Sequence, residues 1–214
     1  MTDVLIMVFG LIVIFISIMA HEVAHGSVAL ALGDSTARDE GRLTLNPLKH
    51  IDPFGTIILP LFLALIPGNS VIIGWAKPVP INFNNITDKK FGALKVSLAG
   101  PLSNFVLATV FALIIRFVPA LNPEMNFIFT IIIFYNLILG IFNLIPIPPL
   151  DGSHILFDLL PQGQTLETIK GFLYQYGVFI LIFVLFIFPR LDWIYGLTEK
   201  IFSLLTGQPL TLSF

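Results

Sequence analysis

The stretch from Val4 to Ala20 carries no charged residue and runs without a break into His21-Glu22-Val23-Ala24-His25. Few folds accept such a stretch. In lipid every backbone polar group must be satisfied within the protein, so an apolar run of this length spans as a helix. A helix turns about 100° per residue, which places His21 and His25 one turn apart on one face with Glu22 beside them. Two imidazoles at that spacing bind one Zn²⁺ ion, and the adjacent carboxylate is positioned as the general base of a hydrolase. At 1.5 Å per residue His21 lies about 25 Å from Val4, near the far side of a hydrocarbon core about 30 Å thick. Polar groups at that depth are costly and mark function, which outweighs the alternative of two polar residues at a helix contact.

Composition agrees with a membrane protein. Of 214 residues 56% are hydrophobic and 11% charged, against about 25% charged in soluble domains. The expected fold class is membrane all-α, a multi-pass helical bundle of about four full spans plus a short re-entrant segment. One domain over 1–214 is expected, with a catalytic core over about 4–160 and a C-terminal span and interfacial helix over 171–206. There are no cysteines, so a metal site must come from His, Asp or Glu. A net charge of -2 without a basic run offers no case for nucleic acid as a partner. The first residues lack the basic region of a signal peptide, so the first span reads as a retained helix.

Further spans are expected at Val96 to Val118, Met125 to Leu144 and Gly171 to Phe188, the last closed by Pro189-Arg190. Gly55 to Ile66 is too short to cross and contains Pro60, so it reads as re-entrant or interfacial. Gly74 to Asn82, with Pro78 and Pro80, reads as extended backbone, tolerated near lipid only when buried in protein or lining a wet cavity. Leu191 to Leu205 reads as a helix on the membrane surface. Four spans put Arg38, Arg42, Lys49, Lys77, Lys89, Lys90, Lys95 and Lys170 on one side and Arg116, Arg190 and Lys200 on the other. The excess of positive charge then places a multi-pass protein in the cell membrane with His21 to His25 toward the cytoplasm.

A catalytic zinc takes three protein ligands and leaves a position for water. Asp151 is the outstanding third ligand, because prolines 146, 148 and 149 end the third span at the side where the first span carries its histidines. The competing reading makes Asp151 a helix N-cap. Asp158, Asp52, His50 and His154 are the other candidates. Asn143 reads as a donor to a substrate carbonyl or backbone. Asn104 reads equally as that or as a helix-to-helix hydrogen bond.

His21 to His25 in the first span and Asn143 to Gly152 in a later one together resemble the site-2 protease family of intramembrane zinc metalloproteases, in its compact prokaryotic form without PDZ or CBS domains. Asn46 to Thr56 and Gly74 to Asn82 resemble it as well, so the likeness covers about residues 10 to 160. A Ser153 where a second Gly is common is a departure. The resemblance implies a core of three helices, zinc held by His21, His25 and Asp151, and Glu22 as base. It also implies that Gly74 to Asn82, with Gly74, Trp75 and Ala76, forms a small membrane-associated β-hairpin whose edge pairs with an unwinding substrate helix. The partners expected are a transmembrane protein substrate and the lipid bilayer, with oligomeric state left open. A metal transporter or metal sensor using the same His and Asp residues is the alternative function, and a helix-binding scaffold without catalysis a further one.

Overall fold

The computed structural model describes residues 2–66, 74–118, 121–161, 163–187 and 192–211. Helix α1 covers Thr2–Ala31, and a short α2, Thr36–Asp39, follows. A 3-10 turn at Pro47–Lys49 and a π-helical turn at Pro53–Ile58 lead into α3, Leu59–Ala64. After a 3-10 turn at Phe83–Asn85 come α4, Gly92–Phe117, and α5, Pro123–Asn143. Then follow α6, Asp151–Leu159, α7, Gln164–Ile187, and α8, Asp192–Thr206.

Among the described residues four helices are long and apolar enough to cross a membrane, at Val4–Ala31, Gly92–Phe117, Pro123–Asn143 and Gln164–Val184. The protein is a membrane protein built of helices. The fourth helix begins at Gln164, well before the expected Gly171, because 164–170 has no Pro or Gly to stop it and accommodates the Glu167–Lys170 pair on its exposed turn. Its expected closure at Pro189-Arg190 lies outside the described residues. The run from Pro53 to Ala64 is helical but short, about 18 Å at 1.5 Å per residue, and cannot cross as one helix.

Helices α1, α4 and α5 form the core around the site. α4 runs antiparallel to α1, since His25 meets Val96 while His21, a turn earlier, meets Asn104 two turns later. α5 returns antiparallel to α4, with Phe105 against Gly140 and Phe111 against Phe129. Small residues let the α4 and α5 backbones approach, and Ala108 and Ala112 are fully buried beside Ile133 and Leu137.

One expectation needs correction. No strand forms among the described residues, so Gly74 to Asn82 is not a β-hairpin. Pro78 and Pro80 have no N–H to donate to a ladder. The segment is instead a single strap whose alternate residues bond inward: Trp75 N–H to Gly55 O at 3.1 Å, Lys77 N–H to His50 O at 2.8 Å and Val79 N–H to Glu22. The helix expected over Leu191 to Leu205 is α8, which begins at Asp192 among the described residues and packs one face on the bundle. Ile194, Thr198, Phe202 and Thr206 recur every four residues on α8 and are buried, with Phe202 in the α4–α5 core, and Arg116 Nη1 at the end of α4 donates to Leu204 O at 2.8 Å.

Candidate metal centre

α1 brings His21 and His25 to one face, each 6% exposed, and α6 begins at Asp151 directly opposite. Asp151 Oδ2 lies 3.0 Å from His21 Nε2, and Asp151 Oδ1 lies 3.3 Å from His25 Nε2. The two Nε2 atoms are 3.0 Å apart. One donor atom from each residue falls within 4.8 Å of the others, and this is the cluster of three potential ligands found among the described residues.

The partners of the far ring nitrogens determine what these atoms are. His25 Nδ1 is 2.6 Å from Val96 O, a carbonyl that only accepts, so Nδ1 carries the proton. His21 Nδ1 is 2.7 Å from Asn104 Oδ1. The Asn104 amide orientation follows from its other side, where Nδ2 donates to Asn136 Oδ1 at 3.0 Å and to Ser17 O at 3.3 Å. With both Nδ1 atoms protonated, neutral imidazoles turn bare Nε2 lone pairs toward one point and toward a carboxylate. Three lone-pair donors converging in a buried place call for a cation, and a nitrogen and oxygen donor set suits Zn²⁺.

Room for the ion comes from α4. A Cβ placed on Gly100 would lie 2.3 Å from His25 Nε2 and 2.4 Å from His21 Nε2. Any side chain at that position would fill the space the three ligands surround. The residues present fit a zinc ion.

Asp151 reaches this point because α5 ends at Asn143 and the Pro-rich turn starts a new helix. Leu150, with extended backbone, is the N-cap of α6 and makes no side-chain cap. Asp151 is the first helical residue, so the N-cap reading fails and its carboxylate is left for the histidines. Gly152 packs on the carbonyls of Leu144 and Ile145, so close that a Cβ would lie 2.2 Å from Leu144 O. This presses α6 against the end of α5.

Glu22 points from the same turn of α1 to the strap, where its Oε2 accepts the Val79 N–H at 2.8 Å. Gly26, a turn further on, lets the strap and the preceding loop sit on α1: a Cβ there would come within 2.6 Å of Leu43 and 2.8 Å of Val79.

The other candidates are placed elsewhere. Asp52 caps the π-helical turn by accepting from Gly55 N–H at 2.6 Å. His50, expected at the interface, is fully buried and has Nε2 2.8 Å from Thr44 O. His154 stacks on Phe83 and meets Tyr174 OH at 3.5 Å. Asn104 is fully buried with its amide spent on His21, Ser17 and Asn136. It is therefore not available to substrate and instead combines a helix-to-helix bond with orientation of a ligand. Asn143, half-buried at the end of α5, turns its Nδ2 back to Leu139 O at 2.9 Å. Trp75 is 45% exposed and lies on Gly55 and Phe54, while Ala76 is buried.

Sequence reasoning missed Asn136, Ser17, Val96 and Arg42. Asn136, a polar residue inside an apolar span, was a visible signal. Val96 acts through its backbone and left none.

The model of peptidase family M50 matches residues 119–184. YwhC of Bacillus subtilis, named as a zinc metalloprotease, is 39% identical over 187 residues, which cover 84% of this chain and 81% of the relative. Rip2 of Mycolicibacterium smegmatis, named likewise, is 31% identical over 194 residues, covering 87% and 70%. The similarly named MJ0611 of Methanocaldococcus jannaschii is 34% identical over 158 residues, covering 72% of each chain. No solved structure matches at a significant level.

Proposed function

The chain belongs to peptidase family M50, the site-2 protease family, and is a zinc metalloprotease of the membrane, and from that premise we propose that it cuts membrane-protein substrates in or near their transmembrane helices, at a site near the cytoplasmic side. The observation that carries this reading is the convergence of His21, His25 and Asp151 on the space left by Gly100 in α4, within helices of membrane-spanning length. His21, His25 and Asp151 hold the metal and Glu22 is the base.

Zinc, when bound, supplies Lewis acidity that makes water nucleophilic near neutral pH and polarises the scissile carbonyl. Asn104 Oδ1 and Val96 O keep both Nδ1 atoms protonated and both Nε2 atoms available. Glu22 takes the proton of the attacking water and delivers it to the leaving amine. Its Oε2 is held by Val79 N–H, which leaves Oε1 for that proton.

A substrate helix shields its peptide bonds with its own hydrogen bonds and must unwind first. The strap at Gly74, Trp75 and Ala76 together with Asn143 is the region proposed to receive the unwound segment. Trp75 supports this by presenting an exposed indole next to the short apolar helix Pro53 to Ala64.

Glu22→Gln tests the assignment. Purified protein reconstituted with a single-span reporter should keep its zinc and lose cleavage, by a factor of at least about 100. Metal flux into vesicles that persists in this variant, without peptide cleavage by the unaltered protein, would favour a transporter.

A further inference from the structure

Arg42 is 5% exposed and forms no ion pair among the described residues. A buried guanidinium without a carboxylate is costly, so its placement needs a reason. Its Nη2 donates to Lys77 O at 2.8 Å and to Pro78 O at 3.1 Å, both in the strap. The peptide group that carries Pro78 O continues as Val79 N–H, and that N–H donates to Glu22 Oε2 at 2.8 Å. One amide thus has a cation at its oxygen and the carboxylate of Glu22 at its hydrogen.

A cation on the carbonyl oxygen draws electron density from the amide nitrogen and strengthens the N–H as a donor, as in any hydrogen-bonded chain. The chain also leaves no substitute donor nearby, since Pro78 and Pro80 have no N–H. Between Lys77 and Ile81 Val79 holds the backbone N–H. Leu43, next to Arg42, and Val79 both rest against α1 over Gly26. The loop that carries Arg42 and the strap that carries Val79 therefore share the turn of α1 just beyond Glu22.

We propose that Arg42 is a positioning residue for Glu22, acting through the Pro78–Val79 peptide to hold Oε2 and keep the other carboxylate oxygen turned to the reacting water. This rests on the reading of Glu22 as the base. Arg42 touches neither metal nor substrate in this role. Its loss should lower turnover without releasing zinc and without weakening substrate capture.

The test uses the full chain and two readouts. The first is amide hydrogen exchange over Pro78-Val79-Pro80, which reports the single amide of Val79 and needs no substrate. Exchange should be slow in the unaltered protein and about tenfold faster in both Arg42→Gln and Glu22→Ala. The second is cleavage of a single-span reporter in proteoliposomes with zinc content measured alongside. Arg42→Gln should lower kcat by about tenfold or more with KM and zinc stoichiometry unchanged, and Arg42→Lys should recover part of it. Val79→Pro deletes the N–H while keeping the Pro78 carbonyl, and Val79→Ala controls for lost packing. Val79→Pro should lower kcat more than Val79→Ala, and combining it with Arg42→Gln should add little. Unchanged exchange in Arg42→Gln, additive losses, a change confined to KM, or loss of zinc would each overturn the proposal. If Arg42→Gln is not recovered folded, Arg42→Lys carries the same readouts with smaller expected shifts. A protein that leaves the reporter uncut counts against the proposed function, and the exchange result then decides the role of Arg42 by itself.

Discussion

Asn104 on α4 holds His21 on α1 by a 2.7 Å contact between Oδ1 and Nδ1, and Asn136 on α5 holds Asn104 in turn at 3.0 Å. Three helices thereby set the tautomer of one candidate ligand. Ser17 closes the network, since its hydroxyl accepts from Asn136 Nδ2 at 2.9 Å. Replacing Asn104 by Ala should weaken zinc binding about 10 to 100-fold, the range for loss of a group that orients a ligand. Competition with a chelator measures it; an unaltered affinity would assign the network to helix packing alone.

Gly100→Ala should abolish metal binding with little change in helix content. The new Cβ would stand 2.3 to 2.4 Å from the two Nε2 atoms, where the ion belongs. Zinc analysis of the purified variant, with circular dichroism as the control for folding, checks this.

Acid should loosen the end of α1. Asp34 is fully buried; burial alone would raise its pKa, but hydrogen bonds from Thr36, Asn82 and Asn85 win and hold it below the ordinary carboxylate value. A carboxyl with a depressed folded pKa contributes stability above its unfolded value, about 3.9, and loses it as pH falls toward the lower folded value. Thermal unfolding between pH 7 and pH 3 should therefore fall more steeply for the unaltered protein than for Asp34→Asn. Parallel curves would remove Asp34 from the acid response.

The four-span arrangement puts the loop before α4 and the loop after it on opposite sides. The chain has no cysteine, so single cysteines at Asn84 and Leu121 give a clean reading. An impermeant thiol reagent applied from outside the cell should label position 121 and spare position 84. Labelling of both would sink the arrangement, and the reverse pattern would turn the active site away from the cytoplasm.

Some of this protein could be read without a structure because it depends on local geometry. Helical periodicity alone pairs His21 with His25, and the uncharged length before them is sufficient for a span. Asp151 is legible as a candidate ligand for a similar reason, since prolines must end the span that leads to it. The resemblance to intramembrane zinc proteases rested on those same residues. Pro78 and Pro80 make extended backbone legible, but the β-hairpin came from the resemblance alone, and the bonding partners of the strap could not be read from residue identity.

What only the tertiary structure decided are the relationships that join distant positions. Glu22 and Val79, His21 and Asn104, and Arg42 and the Pro78 carbonyl are connected by the packing of α1, α4 and the strap. Backbone atoms such as Val96 O and Val79 N–H leave no trace in residue identity, because every residue but proline carries the same pair of groups. Their direction is set by how helices cross. The sequence by itself pointed to a zinc site and to the candidate residues, because helical spacing and apolar length are local; the fold decided which way each of those residues is held, because that depends on how the helices pack.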